Sequence, residues 1–246
     1  MRILEGAGLT KRFGGLYAVT NVDLHVDEGE TVGLIGPNGA GKTTLFNLVS
    51  GALRPDAGTI TFKGRNITGL SPHLVCRAGI ARTFQAVKVF ANMPVIDNVR
   101  LGALFGKAAT AAAGASAAGA ASATARAEEL LEFVGMSSFR MSTARDLTLV
   151  RQKQVEVARA LATSPQLLML DELMAGLNLA EVAQAMDLVR RIRQRGVTVL
   201  MIEHVMKAVM GVCDRIVVLH HGEKIAEGTP QEIAANRTVI EVYLGE

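Results

Sequence analysis

The run Gly36-Pro37-Asn38-Gly39-Ala40-Gly41-Lys42-Thr43 constrains this chain more than any other stretch of its 246 residues. It follows the pattern G-x-x-x-x-G-K-[ST], in which glycines let the backbone curl until successive N–H groups point inward and cradle phosphate oxygens. Its surroundings agree with that reading. An apolar run, Thr31–Ile35, leads into the loop from the turn residues Glu28-Gly29-Glu30. Beyond it, Leu45, Leu48 and Val49 share one face of a helix expected over 42–50. Strand, glycine loop and helix in that order aim a helix N-terminus at an anion, which leaves little room for a plain turn. Lys42 is expected to reach the β- and γ-phosphates of ATP and the Thr43 hydroxyl to coordinate Mg²⁺, with Thr44 closing the nucleotide-binding stretch.

A phosphate loop by itself implies only a nucleotide; hydrolysis needs a second group of residues to hold the metal and orient water. Leu167-Leu168-Met169-Leu170-Asp171-Glu172 is an apolar strand ending in adjacent carboxylates. Side chains alternate along a strand, so the two acids cannot share one role. Asp171 is placed to hold Mg²⁺ through its water shell, and Glu172 to polarise or deprotonate the attacking water. His204 follows another apolar strand, expected over 197–202, at the end where open α/β sheets bind ligands. Its imidazole is a candidate partner for the γ-phosphate or the water. His25, His73, His220 and His221 are read as packed or solvated histidines.

The rest of the chain supplies a frame for these groups. The first third reads as strands and turns, with a short strand over 59–62 and another over 80–84. From 94 to 161 the character turns helical, with an Ala-rich insert at 108–125 and an amphipathic helix over 126–134, read together as a helical hairpin. The last third alternates: strand 167–170, helix 181–195, strand 197–202, helix 205–213, strand 216–219, then a turn at His221-Gly222 into 224–226. Alternating apolar strands and helices imply an α/β fold with a mostly parallel sheet covered on both faces. Arg190, Arg191, Arg193 and Arg195 complement the dipole at the end of one helix and read as a solvated face.

Composition excludes several classes. A net charge of +3 is too mild for a dedicated nucleic-acid binder, though weak attraction to anionic lipid remains open. Cys76 and Cys213 lie far apart and outside metal-ligand spacing, and are expected to be reduced thiols. Glycine and charge come too early in MRILEGAGLTKRFGG for a signal peptide, and no run approaches the ~20 apolar residues of a membrane span. Membrane association is therefore expected through partners.

With these residues in hand, the chain resembles the ATPase subunits of ABC transporters, and among them the branched-chain amino acid uptake ATPases. The likeness runs over essentially the whole chain. It rests on LTKRFGGLYAV, the phosphate loop, ARTFQ at 81–85, VEVARAL at 155–161, LDE with AGLN at 175–178, MIEH at 201–204 and CDRIVVLHHGEKIAEGTP at 213–230. The resemblance implies one ABC ATPase domain over 1–246, of P-loop NTPase fold. It would hold an N-terminal antiparallel β region, a β and phosphate-loop core over 1–93 and 162–246, and a helical subdomain over 94–161. It also implies roles. Phe13 looks like the aromatic that stacks on adenine, with Tyr17 a weaker candidate, and Gln85 like the glutamine that meets Mg²⁺ and water and heads the loop facing the membrane subunits. Residues 175–178 look like the loop that crosses to an opposing ATPase. Expected partners are a second ABC ATPase in a homo- or heterodimer, transmembrane permease subunits and, indirectly, an extracytoplasmic solute-binding protein. The site of action would be the cytoplasmic face of a bacterial inner membrane, with no nucleic acid involved.

One stretch departs from the pattern. The family carries L-S-G-G-Q or L-S-Y-G-Q before the VEVARAL run, whereas this chain has Leu147-Thr148-Leu149-Val150-Arg151. Val150 puts methyl groups where a bare glycine should approach a γ-phosphate, and Arg151 replaces a neutral glutamine. Leu173 and Leu179 also stand where prolines are usual. The expectation is an importer ATPase paired with a different ATPase. The rivals are a degenerate, low-turnover regulatory subunit and a non-transport ABC ATPase.

Overall fold

The computed structural model describes residues 1–106 and 117–244. In chain order the elements are β1 (Arg2–Phe13), β2 (Leu16–Asp27), β3 (Thr31–Ile35), α1 (Lys42–Val49), β4 (Ala57–Phe62), β5 (Arg65–Asn66) and α2 (Pro72–Ala78). Then come β6 (Ile80–Arg82), α3 (Val95–Phe105), α4 (Ala117–Phe133), α5 (Leu149–Ala162) and β7 (Leu167–Asp171). The chain continues through α6 (Leu179–Gln194), β8 (Thr198–Ile202), α7 (Met206–Val212), β9 (Arg215–His220), β10 (Glu223–Gly228), α8 (Pro230–Ala235) and α9 (Arg237–Leu244). Two compact units result, one of residues 1–75 with the chain from 169 onward, the other of 76–168. The boundaries fall inside α2 and β7. The second unit reaches beyond the helical stretch 94–161 because β6 and the first residues of β7 belong with it.

In the first unit, β1 and β2 form a long antiparallel hairpin, and β1 pairs on its other edge with β4, giving a sheet ordered β2-β1-β4-β5. Val22, Leu24 and Val26 turn one face of β2 inward, the period of two expected of a half-buried strand. The second sheet of this unit runs β10-β9-β3-β8-β7. Its β3 is parallel to both β8 and β9, while β10 returns antiparallel to β9. Every residue of β3, β7 and β8 is buried, which is why these strands read as unbroken apolar runs. Helix α6 starts on a full capping box, with Asn178 accepting from Glu181 N–H and Glu181 accepting from Asn178 N–H. Arg215 ties three elements: it donates to Glu30 Oε1 and Oε2, each at 2.8 Å, to the His25 carbonyl at 2.9 Å, and to Glu227.

The C-terminal arginines of α6 do more than face solvent. Arg193 pairs with Asp214 at 2.9 Å and donates to the Gly29 carbonyl at 3.0 Å, and Arg190 donates to the Gly211 carbonyl at 3.1 Å. Cys213 is buried and its thiol is pushed up to about 12, by burial first and then by Asp214 and Glu203. Burial likewise raises Cys76, and both cysteines are free. No helix among the described residues is long and apolar enough to cross a membrane.

The second unit packs α3, α4 and α5 together around Val95, Val99, Ala127, Leu130, Leu131, Val155 and Ala158. Strand β6 stops at Arg82, short of the expected residue 84, and a few residues further on the Lys88 N–H donates to the buried Glu156 of α5 at 3.2 Å. Helix α4 begins at 117, before the amphipathic stretch, since alanine propagates a helix without needing a face to bury. The tip of the expected hairpin lies outside the described residues.

Gly102 marks the closest approach of α3 to α5: a Cβ there would stand 2.3 Å from the Arg159 carbonyl oxygen and 2.9 Å from Ala162 Cβ. Gly102→Val should therefore force these helices apart and cost roughly 1–3 kcal/mol, more than the few tenths gained in helix propensity. Urea unfolding checks this. An unchanged midpoint would mean that the α3–α5 contact yields without cost.

Candidate nucleotide site

The loop after β3 is shaped by contacts only glycine can make. Gly36 has φ 148°, and a Cβ there would lie 2.1 Å from the Leu219 carbonyl oxygen of β9. Gly41 has φ 99°, and its Cβ would meet the Ala18 carbonyl oxygen of β2 at 2.3 Å. Both positions sit in backbone regions that other residues enter only with strain. Gly222, in the turn between β9 and β10, completes the frame. Its N–H donates to the Ala40 carbonyl at 3.1 Å and its carbonyl accepts from Thr20 N–H at 2.8 Å. Helix α1 then begins at Lys42 with no side-chain cap and no acid in its first turn. Its first N–H groups are thus left for an external anion.

Lys42 is only 6 % exposed, and its Nζ donates to the Gly36 carbonyl at 2.7 Å and the Pro37 carbonyl at 2.9 Å. Burial lowers its pKa, against the opposing charges of Glu172 and Asp171. The acids reach this lysine because β7 ends beside β8. Asp171 is the last strand residue and is 3 % exposed. At Glu172 the chain turns, with φ 52°, and its N–H donates to the Ile202 carbonyl at 2.9 Å. The two acids thus take different settings, Asp171 at the strand end and Glu172 in the turn beyond it.

His204 Nε2 lies 3.0 Å from Glu172 Oε1. With the carboxylate ionised, Nε2 carries the proton and donates it. The sequence placed His204 toward phosphate or water; the structure gives it Glu172 as its neighbour. The residue before it, Glu203, is 2 % exposed and accepts from Met174 N–H at 2.7 Å, which fixes the turn that carries Glu172. Sequence reasoning assigned Glu203 nothing, although a carboxylate at an apolar strand end is a visible signal. Gly222 was also missed, and only the dipeptide His221-Gly222 hinted at a turn.

The remaining expected residues fall as follows. Phe13 ends β1 opposite Leu16, 49 % exposed, with Lys11 Nζ 5.8 Å from its ring centroid. Tyr17 is exposed too and precedes Ala18, whose carbonyl abuts Gly41. Gln85 and residues 147–151 belong to the second unit, while the phosphate loop, Asp171, Glu172 and His204 belong to the first. Thr148 is the N-cap of α5 but makes no side-chain capping bond. Leu149 is half exposed, and the Arg151 guanidinium lies 3.9 Å from the Phe139 ring centroid. Gln152 Nε2 donates to the carbonyls of Ala144 and Leu147, so the stretch before α5 is well held despite its altered residues.

Comparison with known proteins agrees with this geometry. The family described as ABC transporter matches residues 19–175, and the one described as branched-chain amino acid ATP-binding cassette transporter matches residues 223–246. The high-affinity branched-chain amino acid transport ATP-binding protein BraF of Pseudomonas aeruginosa is 42 % identical over 250 residues, covering 99 % of this chain and 98 % of that protein. LivG of Salmonella typhimurium, of the same description, is 43 % identical over 251 residues with the same coverage. The lipopolysaccharide export ATP-binding protein LptB of Acidithiobacillus ferridurans is 36 % identical, over 99 % of this chain and 97 % of that one. Among solved structures, an ATP-binding cassette of an ABC transporter in its ADP conformation superposes with TM-score 0.87 at 30 % identity, covering both chains fully. The chain is thus an ATP-binding protein of the ABC transporter family, and belongs with its branched-chain amino acid transport members.

Proposed function

We propose that this chain is the ATP-hydrolysing motor of an importer for branched-chain amino acids or related small solutes. It would work as one half of an ATPase dimer beneath permease subunits on the cytoplasmic face, with an extracytoplasmic binding protein selecting the solute. The observation that carries this reading is the convergence, within one compact unit, of Lys42, Asp171 and the hydrogen-bonded Glu172–His204 pair at an uncapped helix start.

Each residue has a chemical task. Phosphate enters the N–H cradle over residues 36–44, and Lys42 exchanges two neutral carbonyls for charged β- and γ-oxygens, a stronger class of hydrogen bond. The donors on hand for Mg²⁺ are hard oxygens, the Thr43 hydroxyl and the Asp171 carboxylate, and an ion that retains water and shares phosphate oxygens suits so small a protein set. When bound, the metal neutralises negative charge on the transferring phosphoryl group. Glu172 takes the proton of the attacking water, and the His204 N–H holds its carboxylate in one orientation. Phe13 supplies an exposed ring for adenine at the hairpin end, with Tyr17 behind it, and Gln85 belongs to the loop that meets the permease.

A specific feature favours pairing with a different ATPase. Leu149, Val150 and Arg151 stand at the start of α5, where the family presents small residues to the opposing nucleotide. This chain then hydrolyses its own ATP against an intact signature of the partner, while the partner's ATP meets a blocked one.

Glu172→Gln should retain ATP but slow phosphate release on the order of 10²-fold or more, since an amide cannot accept the proton. In cells the same change should stop uptake of labelled leucine, isoleucine and valine. Phosphate release at the parent rate would place the base elsewhere, and normal uptake would refute the motor role.

Restoring the departure with Leu149→Gly, Val150→Gly and Arg151→Gln should raise the ATPase activity of the chain paired with itself. A phosphate held even ~1 Å out of place loses about 10²-fold in rate. If steady-state phosphate release is unchanged by the repair, the asymmetric pairing falls.

A further inference from the structure

The end of β8 holds the end of β7 at three consecutive residues. The Ile202 carbonyl accepts from the Glu172 N–H at 2.9 Å, Glu203 Oε1 accepts from the Met174 N–H at 2.7 Å, and His204 Nε2 stands 3.0 Å from Glu172 Oε1. The first and third of these contacts touch Glu172 itself. The second does not, and the chemistry described so far gives Glu203 no part. Glu203 is 2 % exposed and Met174 1 %, whereas His204 is exposed. A carboxylate buried so deeply costs stability unless donors offset its desolvation, so it is a poor way merely to fill space.

The stretch that Glu203 grips needs holding. Glu172 has φ 52°, in a region that residues other than glycine enter with strain. Beyond it the backbone closes two tight turns, with the Ala175 N–H on the Glu172 carbonyl and the Leu177 N–H on the Met174 carbonyl. Both bonds are 3.3 Å long, beyond the ordinary backbone range. The bond to Glu203 is the shortest in this stretch, at a length common for carboxylate acceptors. We propose that Glu203 is a positioning residue for hydrolysis: by fixing the Met174 N–H, it keeps the turn at 172–174 in the conformation that sets the Glu172 carboxylate beside His204. Glu203 acts through the Met174 backbone, so its effect falls on the rate and not on ATP affinity. Asp171 precedes the turn, within β7, and the phosphate loop has its own frame at Leu219, Ala18 and Gly222. Nucleotide binding therefore survives when the turn loosens. The proposal rests on the reading of Glu172 as the base.

Two substitutions separate reach from charge. Glu203→Gln keeps the length of the side chain and a carbonyl acceptor but loses the charge. Glu203→Asp keeps the charge and falls one methylene short of the Met174 N–H. Steady-state phosphate release by the full chain with Mg²⁺ and ATP should fall about 10- to 100-fold in Glu203→Asp, between the loss of one strong hydrogen bond and a ~1 Å misplacement of the base. Glu203→Gln should stay within about 3-fold of the parent, since a neutral acceptor keeps most of the bond. The Kd for ATP, read by calorimetric titration in the Glu172→Gln background so that ATP persists, should move less than about 2-fold in either variant. In that same background Glu203→Asp should slow single-turnover hydrolysis by less than about 2-fold more, because a residue that acts through Glu172 has nothing left to position. Equal losses with and without the Glu172 carboxylate would overturn the proposal, as would a Glu203→Gln as slow as Glu203→Asp or a Kd that rises as the rate falls. If Glu172→Gln alone releases phosphate at the parent rate, the base reading fails and the positioning role with it. A slow Glu172→Gln beside a parent-like Glu203→Asp refutes the positioning role and leaves the base reading standing.

Discussion

The nucleotide site hangs on how the backbone is held at Gly36. That residue leaves β3 in a conformation closed to other side chains and presses against the carbonyl of Leu219. The press exists only because β3 and β9 are parallel and in register, with Ile35 opposite Val218. The same parallel arrangement sets β8 on the other side of β3, with Leu34 opposite Ile202. From Ile202 the chain reaches Glu203 and His204, and through the Ile202 carbonyl it holds the N–H of Glu172. One sheet thus decides where the phosphate loop opens, where the acids end and which histidine stands beside them. A slip of one residue in β3 would turn every side chain of that strand to the wrong face.

Much of this was legible in the sequence because its signals are local. The loop pattern, the apolar strands before it and before Asp171, and the change from strand to helical character all appear within a few consecutive residues. Other features join residues far apart in the chain, and no local pattern announces them. The Gly222 bridge to Ala40 and Thr20 is of this kind, as is the Glu203 grip on Met174. The bond from the Lys88 N–H to Glu156 of α5, 68 residues further along, is another such link. Helices α8 and α9 were not anticipated, although Thr229 and Glu232 form a plain capping box with Pro230 just inside it, because segments of six and eight residues are too short to show a helical period. The arginines of α6 are largely exposed, as read, yet Arg190 and Arg193 also supply specific links to Gly211, Gly29 and Asp214 that the charge run did not announce.

The chemistry is divided unequally. The first unit carries an intact phosphate loop and an intact Asp171, Glu172 and His204 group, with Asp171 in the sheet, the Glu172 N–H on the Ile202 carbonyl and His204 on the Glu172 carboxylate. The second unit carries Val150 and Arg151 in a stretch that is nonetheless firmly built, with Gln152 bonded to two carbonyls and Arg151 stacked on Phe139. A stretch that had merely decayed would not need such support. Leu149, Val150 and Arg151 change the side chains at the start of α5 and leave the helix start in place. The unequal dimer proposed above, in which this chain would supply one complete half-site and an altered signature, rests on that contrast.

The central claim is that the loop and the end of β7 form a single Mg²⁺–ATP site, and Asp171 tests it most directly. ATP affinity is to be measured with and without Mg²⁺ for the parent and for Asp171→Ala. The account predicts that Mg²⁺ tightens ATP binding by the parent by ~10-fold or more, about 1.4 kcal/mol. It predicts that Asp171→Ala loses this increment while binding ATP without Mg²⁺ at least as well, because a buried negative charge near Lys42 has gone. An undiminished Mg²⁺ increment in Asp171→Ala would contradict the account, since the metal would then be held without the strand end.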